Sequence, residues 1–333
     1  MVRTSNTRTI EKAGASADRL TLLQTMLNIR RFEEKAAEWY ARGKIHGFLH
    51  LYIGQEAVAT GAIAALRDND YLVTHYREHG HALARGVDPH RIMAELFGRA
   101  TGVVGGRGGS MHLIDVEKSF MGGYAIVAGH MPLTCGLGLA EQYKGTDRIA
   151  VNFLGDGAVN EGEFHEALNL ASVWKLPVLF IVENNLYGMG TEIQRVSAVT
   201  EIYKRAAAYA IPAEQVDGMD VTAMFAAVAN AAQHVRSGQG PMFLEAICYR
   251  FRGHSMSDPE FYRHKDEVEH WRRLDPIKRL KEQLIGEGLL SEDEFARMEE
   301  SAGELAAEAA RFADESPEPS LDTLHDFVYK ERA

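Results

Sequence analysis

Two short apolar runs constrain this 333-residue chain more than any other feature. They are Ile-Ala-Val-Asn-Phe-Leu at 149–154 and Val-Leu-Phe-Ile-Val at 178–182. Each has the length of a strand, and the stretch between them reads as a helix. The first run breaks at Gly155-Asp156-Gly157 and the second at Glu183-Asn184-Asn185. Two strands joined by a helix form a parallel βαβ unit. Asp156 and Asn185 are then neighbours just past the carboxyl ends of adjacent strands, where open α/β sheets bind their ligands.

The chemistry of that pair is specific. Asp156 offers a hard anionic oxygen, Asn185 a neutral amide oxygen, and the backbone carbonyl of Tyr187 can add a third. Three oxygens without Cys or His suit Mg²⁺, which shares its remaining positions with phosphate oxygens and water. Gly155 and Gly157 let the backbone turn tightly and let a phosphate come close. Asn160, with Glu163 three residues on, is expected to cap the next helix, whose N-terminus favours an anion.

Further candidates lie along the chain. Residues 1–17 read as a disordered arm, and a helical pattern follows from Ala17. His50 sits in a glycine-bounded apolar segment, where a satisfied core histidine is the plainer reading. A strand at 71–74 delivers Tyr76 and Arg77, and a guanidinium forks well onto phosphate oxygens. Residues 81–98 read as one helix. The glycine-rich loop from Gly102 to Gly109 fits either a close approach to a ligand or a mobile turn. Gly136 and Gly138 suggest that the helix at 133–143 packs tightly on the sheet. Residues 202–210 and 221–237 read as helices. A strand from Met242 runs into Arg250 and on to His254, another strand end loaded with polar groups. Helices at 267–285 and 292–313, the second opened by a Ser291–Glu294 capping box, belong to an acidic tail from about 265. With no repeat or clear linker, 18–333 is expected to be one domain.

Composition narrows the function. With 36 basic and 47 acidic residues the formal charge is −11, which argues against nucleic acid or an anionic membrane as a general partner. An anionic cofactor must therefore be held by local arginines, a cation and backbone N–H groups. Cys135 and Cys248 stand in apolar surroundings without CxxC spacing and read as buried thiols in a reducing compartment. No run reaches transmembrane length. The first 16 residues lack the apolar segment of a secretory signal, so a cytoplasmic location is expected. GxGxxG and GxxxxGK[ST] are both absent, which counts against an NAD-type dehydrogenase and a P-loop hydrolase.

Gly-Asp-Gly, 26 intervening residues and Asn-Asn, each closing an apolar strand, resemble the thiamin-diphosphate motif of 2-oxo-acid dehydrogenases. From about residue 20 to 280 the chain is similar to the α subunit of two-chain (α2β2) E1 components. The resemblance implies a doubly wound, mostly parallel thiamin-diphosphate-binding α/β fold. It implies Asp156, Asn185 and the Tyr187 carbonyl as Mg²⁺ ligands, and Tyr76, Arg77 and Arg250 on the diphosphate, beside Gly155, Gly157 and Ala158. Backbone around Ala125 and Val127 would cradle the aminopyrimidine ring, with His50 and His254 as the active-site histidines. Ala125 and His130 depart from the usual Gly and Gln. Ser255 and Ser257 stand where mitochondrial relatives are phosphorylated.

The loop at 255–259 resembles the pyruvate type more than the branched-chain or acetoin types. The implied reaction is oxidative decarboxylation of pyruvate with acetyl transfer to the lipoyl group of an E2 component. The glutamate needed against the pyrimidine comes from the β subunit in this family, so the chain alone is expected to be inactive. A non-catalytic phosphate- or nucleotide-binding subunit is the alternative from another class.

Overall fold

The computed structural model describes residues 8–328. Its centre is a six-stranded sheet made of β3 (Tyr71–His75), β4 (Phe120–Tyr124), β5 (Ala150–Gly155), β6 (Val178–Asn184), β9 (Ala213–Asp217) and β10 (Met242–Ile247). Every pairing is parallel, in the order β4-β3-β5-β6-β10-β9. A two-residue-strand ribbon, β7 (Tyr187–Gly188) with β8 (Thr191–Glu192), follows β6.

Side chains of β5 and β6 alternate between two cores, as the period of a strand requires. Val151, Phe153, Leu179 and Ile181 face one of them. There they meet α1 (Arg19–Ala41), α2 (Glu56–Ala64), α4 (Pro89–Leu96) and α8 (Val221–Arg236). Ala150, Leu154, Val178, Phe180 and Val182 face the other, against α5 (His130–Lys144) and α6 (Gly162–Trp174). With both faces covered, the expected doubly wound α/β architecture stands. The strand order reverses direction between β3 and β5. The carboxyl ends of these two strands therefore open a crevice, and Tyr76-Arg77 and Asp156 emerge into it.

Several local expectations change. Residues 9–18 form an antiparallel hairpin, β1 (Thr9–Lys12) with β2 (Ala15–Asp18), in place of a disordered arm. Its two-residue turn, Ala13-Gly14, has both φ angles positive, as a type I′ turn demands, but with alanine where Asn or Asp is usual. Residues 1–7 of the expected arm lie outside the described residues.

The stretch 81–98 is two helices, α3 (His79–Ala84) and α4. Gly86 adopts φ +80° between them, and Asp88 caps α4 ahead of Pro89 at its first position. Residues 202–209 wind as a 3₁₀ helix. Asn160 does not cap α6. It ends a 3₁₀ turn, where its amide donates to Ser197 and its oxygen accepts from Arg205, and Glu161 takes the cap position without a side-chain bond.

The tail helices are α9 (Lys265–Arg272), α10 (Pro276–Gly286) and α11 (Glu292–Glu315), and the Ser291–Glu294 capping box is present. A short helix α7 (Ile193–Val196) follows β8. The glycine-rich loop closes on its own chain. The buried Glu95 carboxylate accepts backbone N–H groups from Val104, Gly106, Gly108 and Gly109 at 2.7–3.2 Å.

The two glycines of α5 play different parts. A Cβ on Gly138 would stand 2.8 Å from Val178 Cγ2 on β6, whereas one on Gly136 would meet nothing within 4 Å. Gly138→Ala should therefore destabilise by about 1–3 kcal/mol through overpacking. Gly136→Ala, in the same helix, should stabilise by about 0.5–1 kcal/mol through helix propensity. Denaturant unfolding of the two variants checks both signs; equal effects would contradict the packing.

Candidate active site

The crevice is a cavity of about 320 Å³. Tyr76 and Arg77 reach it from the end of β3, and Gly155, Asp156, Gly157 and Ala158 from the end of β5. Asn185 and Tyr187 enter after β6, Arg250 and His254 after β10, and Val127 before α5. A second cavity adjoins it and shares Tyr76, Val127, Met189 and His254; His50 and Ala125 line this one. The residues singled out from the sequence thus converge on two connected hollows at one end of the sheet.

Asp156 is buried and its carboxyl is pushed up to about 6 by desolvation, partly offset by Arg250 and by backbone N–H groups including that of Asn185. An anionic oxygen in this position is electrostatically underserved, which suits a cation. Asn185 donates its amide N–H to Gln55 Oε1 at 3.0 Å, and its oxygen accepts only a long 3.3 Å contact from Tyr187 N–H. The Tyr187 carbonyl accepts from Arg250 at 3.5 Å, also long. An acid oxygen, an amide oxygen and a carbonyl in one crevice form a donor set that fits Mg²⁺.

The positive side of the site is as unusual. Arg77 and Arg250 are both buried. Among the described residues neither donates to a carboxylate. Arg77 bonds the carbonyls of Leu51 (2.9 Å) and His254 (2.8 Å), and Arg250 that of Met189 (2.9 Å). Desolvation and the neighbouring Arg250 lower the Arg77 guanidinium to about 10. Among the described residues the Arg250 Nε has no partner. Two desolvated guanidiniums facing each other call for an anion of high charge, such as a diphosphate.

His254 stands between them, with its Nδ1 3.1 Å from Arg250 and 3.4 Å from Arg77. Guanidinium only donates, so Nδ1 accepts and Nε2 carries the proton. Burial, Arg77 and Arg250 lower this imidazole to about 3. The His254 ring lies 5.0 Å from that of His50, and His50 lies 4.7 Å from Tyr76, centroid to centroid. Burial, Arg77 and His254 bring His50 down to about 2. Both histidines are therefore neutral: His254 presents an N–H, and His50 keeps a buried Nδ1 without a partner among the described residues.

Three neighbours escaped the sequence reading: Gln55 and His75, which line the crevice, and Glu183, buried behind it. His130, noted above as a departure from the usual Gln, lines it as well. Locally Gln55 is only the residue before a helix, and Glu183 only one near a strand end. Their roles arise from contacts across more than 100 residues of sequence, and no local pattern reports these. His130 donates from Nε2 to the Phe153 carbonyl at 2.8 Å.

The model of the dehydrogenase E1 component family matches residues 24–322. The chain belongs to this family. Relatives include the pyruvate dehydrogenase E1 component subunit alpha of Rhizobium meliloti, 48% identical over 92% of this chain and 89% of the relative. The protein of the same name from Zymomonas mobilis is 47% identical over 93% and 88%. That from Rickettsia bellii is 45% identical over 91% and 93%. The family match spans every residue of the crevice.

Burial gives the site a pH signature. Desolvation lowers His130 to about 4, against 6.5 when exposed. Between these values the unfolded chain binds a proton that the folded chain refuses. Stability from this group is therefore complete above about 6.5 and falls with pH down to about 4, at ~1.4 kcal/mol per unit. Urea unfolding between pH 7 and 5 should show the loss, and His130→Gln should reduce the slope by up to ~1.4 kcal/mol per unit, the share of one imidazole, with His50 and His254 still contributing; an unchanged slope would contradict the buried neutral imidazole.

Proposed function

We propose that this chain is the α subunit of a pyruvate dehydrogenase E1 component, acting with thiamin diphosphate and Mg²⁺. The observation that carries this reading is the pairing of an underserved buried carboxylate, Asp156, with two buried arginines that lack carboxylate partners, in the crevice between β3 and β5. A dianionic cofactor with its cation satisfies both at once. The near-full-length identity to relatives named pyruvate dehydrogenase E1 component subunit alpha supports the substrate.

In this reading Asp156, Asn185 and the Tyr187 carbonyl hold Mg²⁺, while Tyr76, Arg77 and Arg250 hold the diphosphate. Gly155, Gly157 and Ala158 let it approach, and the backbone near Ala125 and Val127 receives the aminopyrimidine. When bound, thiamin diphosphate supplies a nucleophilic carbon and an electron sink for decarboxylation of a 2-oxo acid. The chain's own work is binding and orientation. The two arginines neutralise the diphosphate in a desolvated site, where their attraction is strong. His254 carries an Nε2–H beside the second hollow, and the neutral His50 next to it can serve as a hydrogen-bond partner that orients a bound group. Tyr76 packs against the His50 ring and limits its rotation.

The chain contributes half of a site. Exposed Ile126, Val127, Met189 and Val196 rim the crevice or stand beside it, and an apolar rim of this kind suits burial by a β subunit. That partner would supply the acid that works against the pyrimidine, in an α2β2 assembly that passes the acetyl group to a lipoyl domain of E2.

Reconstitution with a candidate β chain tests the reading. Pyruvate should turn over in preference to 2-oxoisovalerate and acetoin, and the α chain alone should be inactive. Asp156→Ala should weaken Mg²⁺-dependent thiamin-diphosphate binding at least ~10-fold by calorimetry, the scale of a lost charged ligand. Undiminished affinity and turnover in that variant would overturn the assignment.

A further inference from the structure

Asn185 can present either its oxygen or its NH₂ to the crevice, since the two ends of an amide differ little in shape. Only the oxygen can bind a cation. Something must set the orientation, and the contacts behind Asn185 do so.

Glu183 is buried at the end of β6, two residues before Asn185. Its carboxylate has four neighbours. Tyr52 Oη and His81 Nε2 (3.0 Å) reach Oε1, while His75 Nε2 (2.7 Å) and Gln55 Nε2 (3.4 Å) reach Oε2. His75 Nδ1 accepts the Arg77 backbone N–H at 3.0 Å, so its Nε2 carries the proton and donates. Glu183 therefore accepts throughout, filling about the four lone-pair positions a carboxylate has.

Oε2, which already accepts from His75, has only a lone pair to offer, so it dictates which end of Gln55 faces it. The Gln55 NH₂ turns to Glu183, and Oε1 is left toward Asn185. Oε1 only accepts, so the Asn185 NH₂ must turn to it, at 3.0 Å. The Asn185 oxygen is then the end that faces the crevice and Asp156. Gln55 is completely buried, so water cannot substitute at either end. The Tyr187 N–H, 3.3 Å from Asn185 Oδ1, favours the same orientation more weakly.

We propose that Gln55 is a positioning residue that relays the polarity of Glu183 to Asn185, so that an oxygen and not an N–H₂ is offered to the metal. The inference rests on the reading of Asn185 as a metal ligand, and it assigns Gln55 no contact with the metal itself. It predicts a dependence on the type of side chain at 185. In Asn185→Asp both terminal atoms are oxygens, orientation ceases to matter, and Gln55 should become dispensable for metal affinity.

The test uses the assembled αβ protein with thiamin diphosphate and Mn²⁺ as the probe, reading free Mn²⁺ by electron paramagnetic resonance. Gln55→Leu should weaken Mn²⁺ binding by about 10–100-fold, the usual range for residues that orient a ligand. Gln55→Met, unbranched and of matching length, is the second variant should leucine disturb assembly; thermal melting verifies that each is folded. In the Asn185→Asp background the same substitutions should weaken Mn²⁺ binding by no more than about twofold, the scatter of independent sites. Equal losses in both backgrounds would make Gln55 a packing residue and overturn the relay. Unchanged affinity in Gln55→Leu, with Asp156→Ala still weakening binding, would also overturn the relay while leaving the metal site standing. Unchanged Mn²⁺ binding in Asp156→Ala would instead remove the metal-site reading beneath it.

Discussion

The buried carboxylate of Glu183 is the interaction on which the crevice depends. Its donors come from the segment before α2 (Tyr52), the cap of α2 (Gln55), the end of β3 (His75) and helix α3 (His81). One side chain at the end of β6 thus fixes four other parts of the fold at the place where the strand order reverses. A buried charge costs several kcal/mol unless its hydrogen bonds are complete, and here they are. The same saturation makes the arrangement exclusive: loss of any one donor leaves an unsatisfied ion. An apolar core would hold these segments together but would not set the rotation of a glutamine amide. A second carboxylate does comparable work farther out. Glu33 accepts the Tyr52 backbone N–H at 2.8 Å and faces His79 Nδ1 at 3.0 Å, so the segment carrying Tyr52 is held from both sides.

What could be read in the sequence follows from what is local. The parallel pairing of β5 and β6, and with it the meeting of Asp156 and Asn185, is carried by two uninterrupted apolar runs and the sharp breaks that end them. The strand-end residues Arg77, Arg250 and His254 were legible for the same reason, since a strand delivers its last side chains to a known edge of the sheet. The turns were harder. Ala13-Gly14 makes a hairpin without the Asn or Asp that announces one, and Arg85-Gly86-Val87-Asp88 interrupts an apolar pattern that would otherwise continue as a single helix. Asn160 and Glu163 match a capping box in spacing, but Ser197 and Arg205 claim the Asn160 side chain. The glycine-rich loop was ambiguous because its ligand, Glu95, belongs to the helix before it. The Glu183 network could not be read at all, because each of its members resembles an ordinary core or boundary residue until the fold brings them together.

The electrostatics of the crevice separate stability from function. Arg77 and Arg250 spend their donors on carbonyls and on His254, leaving their charges uncompensated by any carboxylate among their described hydrogen-bond partners. Placing an acidic side chain between them would stabilise the free chain, since a paired buried charge is less costly than a bare one. It would also occupy the space an anionic ligand needs. Asp156 presents the converse case, a carboxylate raised toward neutrality by burial within the reach of Arg250, yet without a direct ion pair to it among the described residues. If the two were in contact they would satisfy one another, and neither a cation nor an anion would gain by entering. The separation of opposite charges across the crevice is therefore what gives a metal–diphosphate pair its advantage. The overall charge of −11 strengthens the argument. An acidic protein offers no general attraction to a diphosphate, so affinity has to be concentrated in these two guanidiniums and in the cation that Asp156 and Asn185 are arranged to receive.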